Sequence, residues 1–114
     1  MTSPPPDPAN PFTVTRSSGV TVTWTGGSAN EFVELNGFSF TDNTDNLGAA
    51  FQCVVPASAG TFTIPPSVLL ALPAGNNGGM DFYPTVLPVP LTATGLNVSE
   101  LTLRYDYFTP LLFK

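Results

Sequence analysis

GVTVTWTGG, Gly19 to Gly27, sets apolar and hydroxylated side chains in strict alternation. Val20, Val22 and Trp24 fall on one side of an extended chain, and Thr21, Thr23 and Thr25 on the other. A period of two over this length marks a half-buried β-strand. Gly26-Gly27 ends it, because paired glycines favour a turn over a ladder. Upstream, FTVTR (Phe12 to Arg16) reads as an edge strand, and Ser17-Ser18-Gly19 as the turn between the two.

The same punctuation continues along the chain. EFVELNGFSFT (Glu31 to Thr41) carries Val33 and Leu35 on an inward face, then Asn36-Gly37, then Phe38 and Phe40. Asn-Gly between alternating runs predicts a hairpin or a bulge. AAFQCVVP (Ala49 to Pro56) and TFTIP (Thr61 to Pro65) are further strands, joined by a turn at Ser58-Ala59-Gly60. AGNNGG (Ala74 to Gly79) reads as a loop. MDFYPTV (Met80 to Val86) reads as an edge strand or a bulged one, since Pro84 lacks a ladder donor. PLTATG (Pro90 to Gly95) is short. SELTLRYDYF (Ser99 to Phe108) places Leu101, Leu103, Tyr105 and Tyr107 on one face.

Short strands at turn-limited spacing predict an all-β fold, closed as an antiparallel β-sandwich of seven to nine strands. The expected core is Val22, Trp24, Val33, Leu35, Phe51, Cys53, Phe62, Ile64, Leu69, Leu72, Leu101, Leu103 and Tyr105. Residues 1–11, with TSPPPDPANP, form a Pro-rich arm or interdomain linker. A docking strand for a neighbour is the sharper reading of that arm. Residues 12–114 form the domain.

FTIPPSVLLALPAG (Phe62 to Gly75) is the least polar run. It is too short to span a bilayer, which takes about 20 apolar residues. Pro65, Pro66 and Pro73 bar a long helix. Phe62 and Ile64 belong to a strand, and one short helical turn near 67–72, capped by Ser67, follows. Val68, Leu69, Leu70 and Leu72 would then plug an open end of the sandwich.

Charge narrows the partners. Only 10% of residues are charged and the net charge is −5, with Arg16, Arg104 and Lys114 the sole basic side chains. Nucleic acid demands a field of cations, and an anionic membrane surface does too. Neither is expected as a partner, nor is membrane insertion. Cys53 is the only cysteine, so no intrachain disulfide forms. Its alternation with Phe51 and Val55 favours burial, with an intermolecular disulfide as the alternative. No apolar signal-peptide core follows Met1. The start suits a module of a longer secreted chain.

Few residues offer chemistry. There is no histidine, which removes imidazole bases and most zinc ligand sets. Glu31 and Glu34 lie three apart and would point to opposite faces of a strand, so they do not form a local acid–base pair. Asp42, Asn43, Asp45 and Asn46 cluster oxygen ligands in one loop. A calcium site is conceivable there, although Thr44 and Leu47 break the usual spacing and a polar turn is the plainer reading. No other cofactor is expected. Trp24, Tyr83, Tyr105 and Tyr107 are candidates for a sugar-binding platform. Trp24 alternates with valines and the last two tyrosines with leucines, which favours core packing and leaves Tyr83 as the weak ligand candidate. Asn97-Val98-Ser99 is a glycosylation sequon by pattern.

VTVTWTGG (Val20 to Gly27), FQCVVPASAGTFTIPPSVLLALP (Phe51 to Pro73) and LTATGLNV (Leu91 to Val98) together resemble a recurring module of large secreted proteins of soil bacteria. That module often lies C-terminal to immunoglobulin-like or fibronectin-type repeats. The Trp24 strand is similar to the second strand of a fibronectin-type III sandwich. The resemblance implies an immunoglobulin-like or fibronectin-III-like fold and an extracellular location, with no catalytic residues to transfer. The expected function is a non-catalytic, structural or adhesive extracellular module contacting neighbouring domains of its parent chain. The alternatives are a carbohydrate-binding accessory module that holds polysaccharide, and a self-associating subunit that joins copies through YFTPLLFK (Tyr107 to Lys114) or an unpaired edge.

Overall fold

A computed structural model of the chain describes residues 1–7, 9–41, 47–85, 89–95, 97, 99–101 and 104–114. Nine strands run through the described residues: β1 (Phe12–Val14), β2 (Val20–Thr23), β3 (Phe32–Phe40), β4 (Gly48–Pro56), β5 (Thr61–Ile64), β6 (Gly75–Thr85), β7 (Val89–Pro90), β8 (Glu100–Leu101) and β9 (Tyr107–Phe113). One short helix, α1 (Pro66–Leu69), and two 3-10 turns, Arg16–Ser18 and Ala57–Ala59, complete the order. The fold is all-β with mixed pairing.

A five-stranded sheet runs β1-β9-β6-β3-β4, and β2 pairs with β5 in a separate two-stranded sheet. Val20, Val22 and Ile64 from the small sheet, and Trp24 just beyond β2, join Val33, Leu35, Met80, Phe82, Leu111 and Phe113 from the large one in a single buried cluster. Burial of this apolar surface is the main stabilising term. Phe51, Cys53 and Phe62 are partly buried and pack on the rim of the cluster. β7 and β8 form a two-residue ribbon apart from both sheets.

The plug is present. Leu69 is fully buried and Leu72 nearly so, whereas Leu70 is exposed. Ser67 does not cap α1: Pro65 occupies the capping position and Pro66 is the first helical residue, where proline's fixed φ is already helical. Two side chains hold the plug by its carbonyls. Arg16 Nη1 donates to Leu72 O at 2.7 Å. The buried Ser39 hydroxyl donates to Pro73 O at 2.8 Å.

Several strands differ from the sequence expectation. β3 passes straight through Asn36-Gly37, pairing with β4 and β6 without a break. Gly37 serves cross-strand packing: a Cβ there would lie 2.3 Å from the Phe51 ring opposite. Ala74–Gly79 is mostly strand, not loop, and β6 is the central strand of its sheet. Its glycines are overlaid by rings of neighbouring strands, Phe113 at Gly78 and Phe108 at Gly79. Pro84 is tolerated because the β9 ladder on that side has ended at Phe82.

The C-terminal reading also changes. Glu100–Leu101 pairs only with the β7 ribbon, away from the core, so Leu101 is 58% exposed rather than buried. Tyr105 lies between that ribbon and β9 and is 57% exposed, again outside the core. Leu103 falls outside the described residues. Tyr107–Phe113, part of the Tyr107–Lys114 stretch offered as one alternative for joining copies, is an interior strand that buries Thr109, Leu111 and Phe113. β1 pairs with it in parallel, where antiparallel pairing was expected throughout. The N-terminal arm lies against the domain: Thr2 N–H donates to Thr23 O and Thr23 N–H to Ser3 O, both at 2.8 Å.

Candidate functional site

The end of the sandwich opposite the plug carries a cleft of about 250 Å³. Its floor is built by Trp24, whose backbone N–H donates to Gly60 O at 2.9 Å. The indole Nε1 donates to Ala57 O at 2.7 Å, so the polar edge of the ring is satisfied inside the core. Gly26 and Gly27 then carry the chain over Ala57 with φ of 85° and 99°, a region that L side chains avoid. A Cβ on Gly27 would lie 2.5 Å from that of Ala57.

The next turn is closed by Glu31. Its carboxylate accepts the Ser28 N–H at 2.7 Å, while its carbonyl accepts the Ala57 N–H at 2.9 Å. Phe32 follows, 39% exposed. The opposite wall comes from the far end of β6, with Pro84 and Thr85, and from Tyr105 and Tyr107. Tyr107 packs edge-on to Phe82 with centroids 6.0 Å apart, and Phe82 packs against Trp24 at 5.6 Å. These contacts hold the walls in place. The lining combines the partly exposed aromatic side chains of Phe32, Tyr105 and Tyr107 with Glu31 and the Gly26-Gly27 loop. Such a mixture suits a ligand with both apolar faces and hydroxyls.

Three of the four aromatic candidates, Trp24, Tyr105 and Tyr107, therefore line one cleft. Tyr83 does not. It lies on the outer face of β6, where the Arg104 guanidinium sits 4.4 Å from its ring centroid. Arg104 also pairs with Glu34 at 2.6 Å, and Gln52 donates to the same carboxylate at 3.3 Å. One face of Tyr83 is thus taken by an ion-paired cation. Burial, followed by the charges of Asp81 and Asp106, raises its phenol above the ordinary range. The Asp81 carboxyl is likewise raised, first by burial and then by Asp106.

Glu31 faces the cleft and Glu34 the outer sheet face. Asp42, Asn43, Asp45 and Asn46, the calcium candidates, lie outside the described residues. Cys53 is a free, half-buried thiol, raised by burial above its ordinary range. Phe32 was missed by sequence reasoning, yet a signal exists: it precedes Glu34 and Asn36 on the outward face of β3, a face that also carries Phe38 and Phe40. No helix among the described residues is long and apolar enough to cross a membrane. Set against known protein families, curated proteins and solved structures, the chain matches none.

Proposed function

We propose that this chain is a non-catalytic, adhesive β-sandwich module of a secreted protein, and that its end cleft holds a saccharide. The observation that carries the reading is the convergence of the exposed Phe32, Tyr105 and Tyr107 from separate segments of the chain on one open cleft, above the buried Trp24. Stacking on aromatic faces combined with a carboxylate at the rim is the chemistry a sugar ring offers a partner for.

The strand order supports an immunoglobulin-like reading of the sandwich. The β9-β6-β3-β4 run, with β1 added in parallel to β9 and β2-β5 as the second sheet, follows the arrangement of such domains. On that analogy the cleft lies between the loop after the second strand and the segment before the last one. Those are positions where immunoglobulin-like domains carry recognition loops. The absence of histidine in the sequence supports a non-catalytic role.

Polysaccharide pull-down and a glycan array test the reading. Tyr105→Ala and Tyr107→Ala should abolish retention, while Tyr83→Ala should leave it intact. Retention that depends on Tyr83 and not on Tyr105 would move the site to the outer sheet face. No retention on any glycan would reduce the module to a structural spacer.

A further inference from the structure

The outermost strand β4 carries an interaction surface. It pairs with β3 over all nine of its residues, and no strand among the described residues pairs with its other side. The direction of its free backbone groups follows from the ladder. At the two ends of the β3–β4 pairing, Ala57 N–H donates to Glu31 O and Thr41 N–H to Leu47 O. Both contacts fall on odd-numbered residues of both strands. Hydrogen-bonded pairs in an antiparallel ladder alternate, so Ala49, Phe51, Cys53 and Val55 are bonded to β3. Gly48, Ala50, Gln52 and Val54 consequently aim N–H and C=O outward, joined by the Pro56 carbonyl. Pro56, lacking an N–H, fits this phase.

Sheet edges are normally blunted by lysine, proline, a bulge or shortness. β4 has none of these within its length: its nine residues, GAAFQCVVP, carry no charged side chain and place proline only at the end. Val54 is 59% exposed on one face, while Phe51 and Cys53 are half-buried on the other.

We propose that the occupant of this edge is a second copy of the chain, added antiparallel about a twofold axis at Gln52. Gln52 is the middle residue of Gly48–Pro56, so this register pairs every residue of one strand with one of the other. It also joins outward-aimed groups to outward-aimed groups. Sizes then complement: Ala50 meets Val54, Phe51 meets Cys53, Ala49 meets Val55 and Gly48 meets Pro56. Each copy carries a net charge of −5, yet the seam itself is uncharged. Glu34, one strand inward, is already neutralised by Arg104. The seam therefore adds no like-charge pair of its own, and Gln52, one amide N–H of which already donates to Glu34, offers its second N–H and its side-chain carbonyl to its own symmetry mate. A seam one strand long belongs to the small, reversible class of interfaces, so the dimer should depend on concentration. The two Cys53 thiols are offset along the seam and face the partner's Phe51, leaving the native dimer without a disulfide.

Sedimentation velocity from about 1 μM to about 1 mM tests the proposal, over a range suited to weak interfaces. The wild-type chain should shift from monomer to dimer. Val54→Lys, on an exposed position, should stay monomeric across the range and melt as wild type does. In a Cys53→Ser background, Gln52→Cys should cross-link into a disulfide dimer on mild oxidation, because facing residues at the axis stand about 5.5 Å apart at Cα. Ala50→Cys in the same background should not. A wild-type monomer at every concentration overturns the proposal. So does a dimer that survives Val54→Lys, or cross-linking through Ala50→Cys in preference to Gln52→Cys.

Discussion

The two ends of the sandwich are built on opposite principles. At one end Leu69 and Leu72 fill the gap between the sheets, and Arg16 and Ser39 satisfy the carbonyls that the plug exposes. At the other, Gly26 and Gly27 turn the chain tightly over Ala57, and the aromatic rings of Phe32, Tyr105 and Tyr107 remain partly in water. A proline-bounded helical turn closes one end, and a glycine turn leaves the other open. The first end is sealed from water by aliphatic side chains, and the second leaves aromatic surface exposed.

Substitutions can break that contrast, beginning with the plug. Leu69→Asp or Leu72→Asp would bury an unpaired charge, which costs more than a domain of this size can spare. Both should be unfolded by circular dichroism, whereas Tyr105→Asp at the open end should fold. A wild-type melting temperature for Leu69→Asp would show that the plug is dispensable. Ser39→Ala, which leaves the Pro73 carbonyl without its buried donor, should cost about 1–3 kcal/mol in urea unfolding.

Gly27→Ala carries the comparison to the open end. Its positive φ and the clash with Ala57 should cost about 1–3 kcal/mol. Gly26→Ala meets no atom within 4 Å and should cost less, bearing backbone strain alone. If the two lose equal stability, the close approach to Ala57 plays no part. Tyr107→Ala should cost about 0.5–1.5 kcal/mol through its contact with Phe82, and Tyr105→Ala less than that, although both should lose the ligand.

The smallest effect concerns Asp81, which stands opposite Asn36 midway along the large sheet, away from both ends. Burial and the Asp106 charge raise its folded-state pKa above the unfolded value. Its favourable contribution is therefore complete below the unfolded pKa and is lost as pH rises through the folded one. Asp81→Asn should raise the melting temperature at pH 7, by less than about 1 kcal/mol in stability terms. That gain should vanish as the pH falls below the carboxylate range. A gain independent of pH would trace to packing instead.

The closed end was legible in the sequence because its signals are local. Val20, Val22 and Trp24 declare their face by alternation, and prolines bound the plug. The centre of the large sheet was not. Gly75–Thr85 reads as a loop in its first half because a glycine strand has no side chains with which to show a period. Its strand character is conferred by Phe38, Phe108 and Phe113, whose rings lie against the bare backbone at Gly78 and Gly79. Asn36-Gly37 misleads for the same reason, since Phe51 supplies the volume that Gly37 lacks. The open end was half legible. Tyr105 and Tyr107 were recognised as candidates, but alternation with Leu101 and Leu103 implied one continuous buried strand. That expectation fails because Glu100–Leu101 pairs with the β7 ribbon, whereas Tyr107 opens the strand that pairs with β6 in the large sheet.

The parallel pairing of β1 with β9 has a mechanical consequence. Phe12 lies beside Leu111 and Val14 beside Phe113, and the ladder is extended by Lys114 N–H donating to Val14 O and Arg16 N–H to Lys114 O. Tension drawn through the two ends of the domain would slide these strands lengthwise past each other. Every bond of the ladder would then bear load together, with no weak end from which to unzip. A module tethered within a larger chain would carry traction along its most cooperative axis.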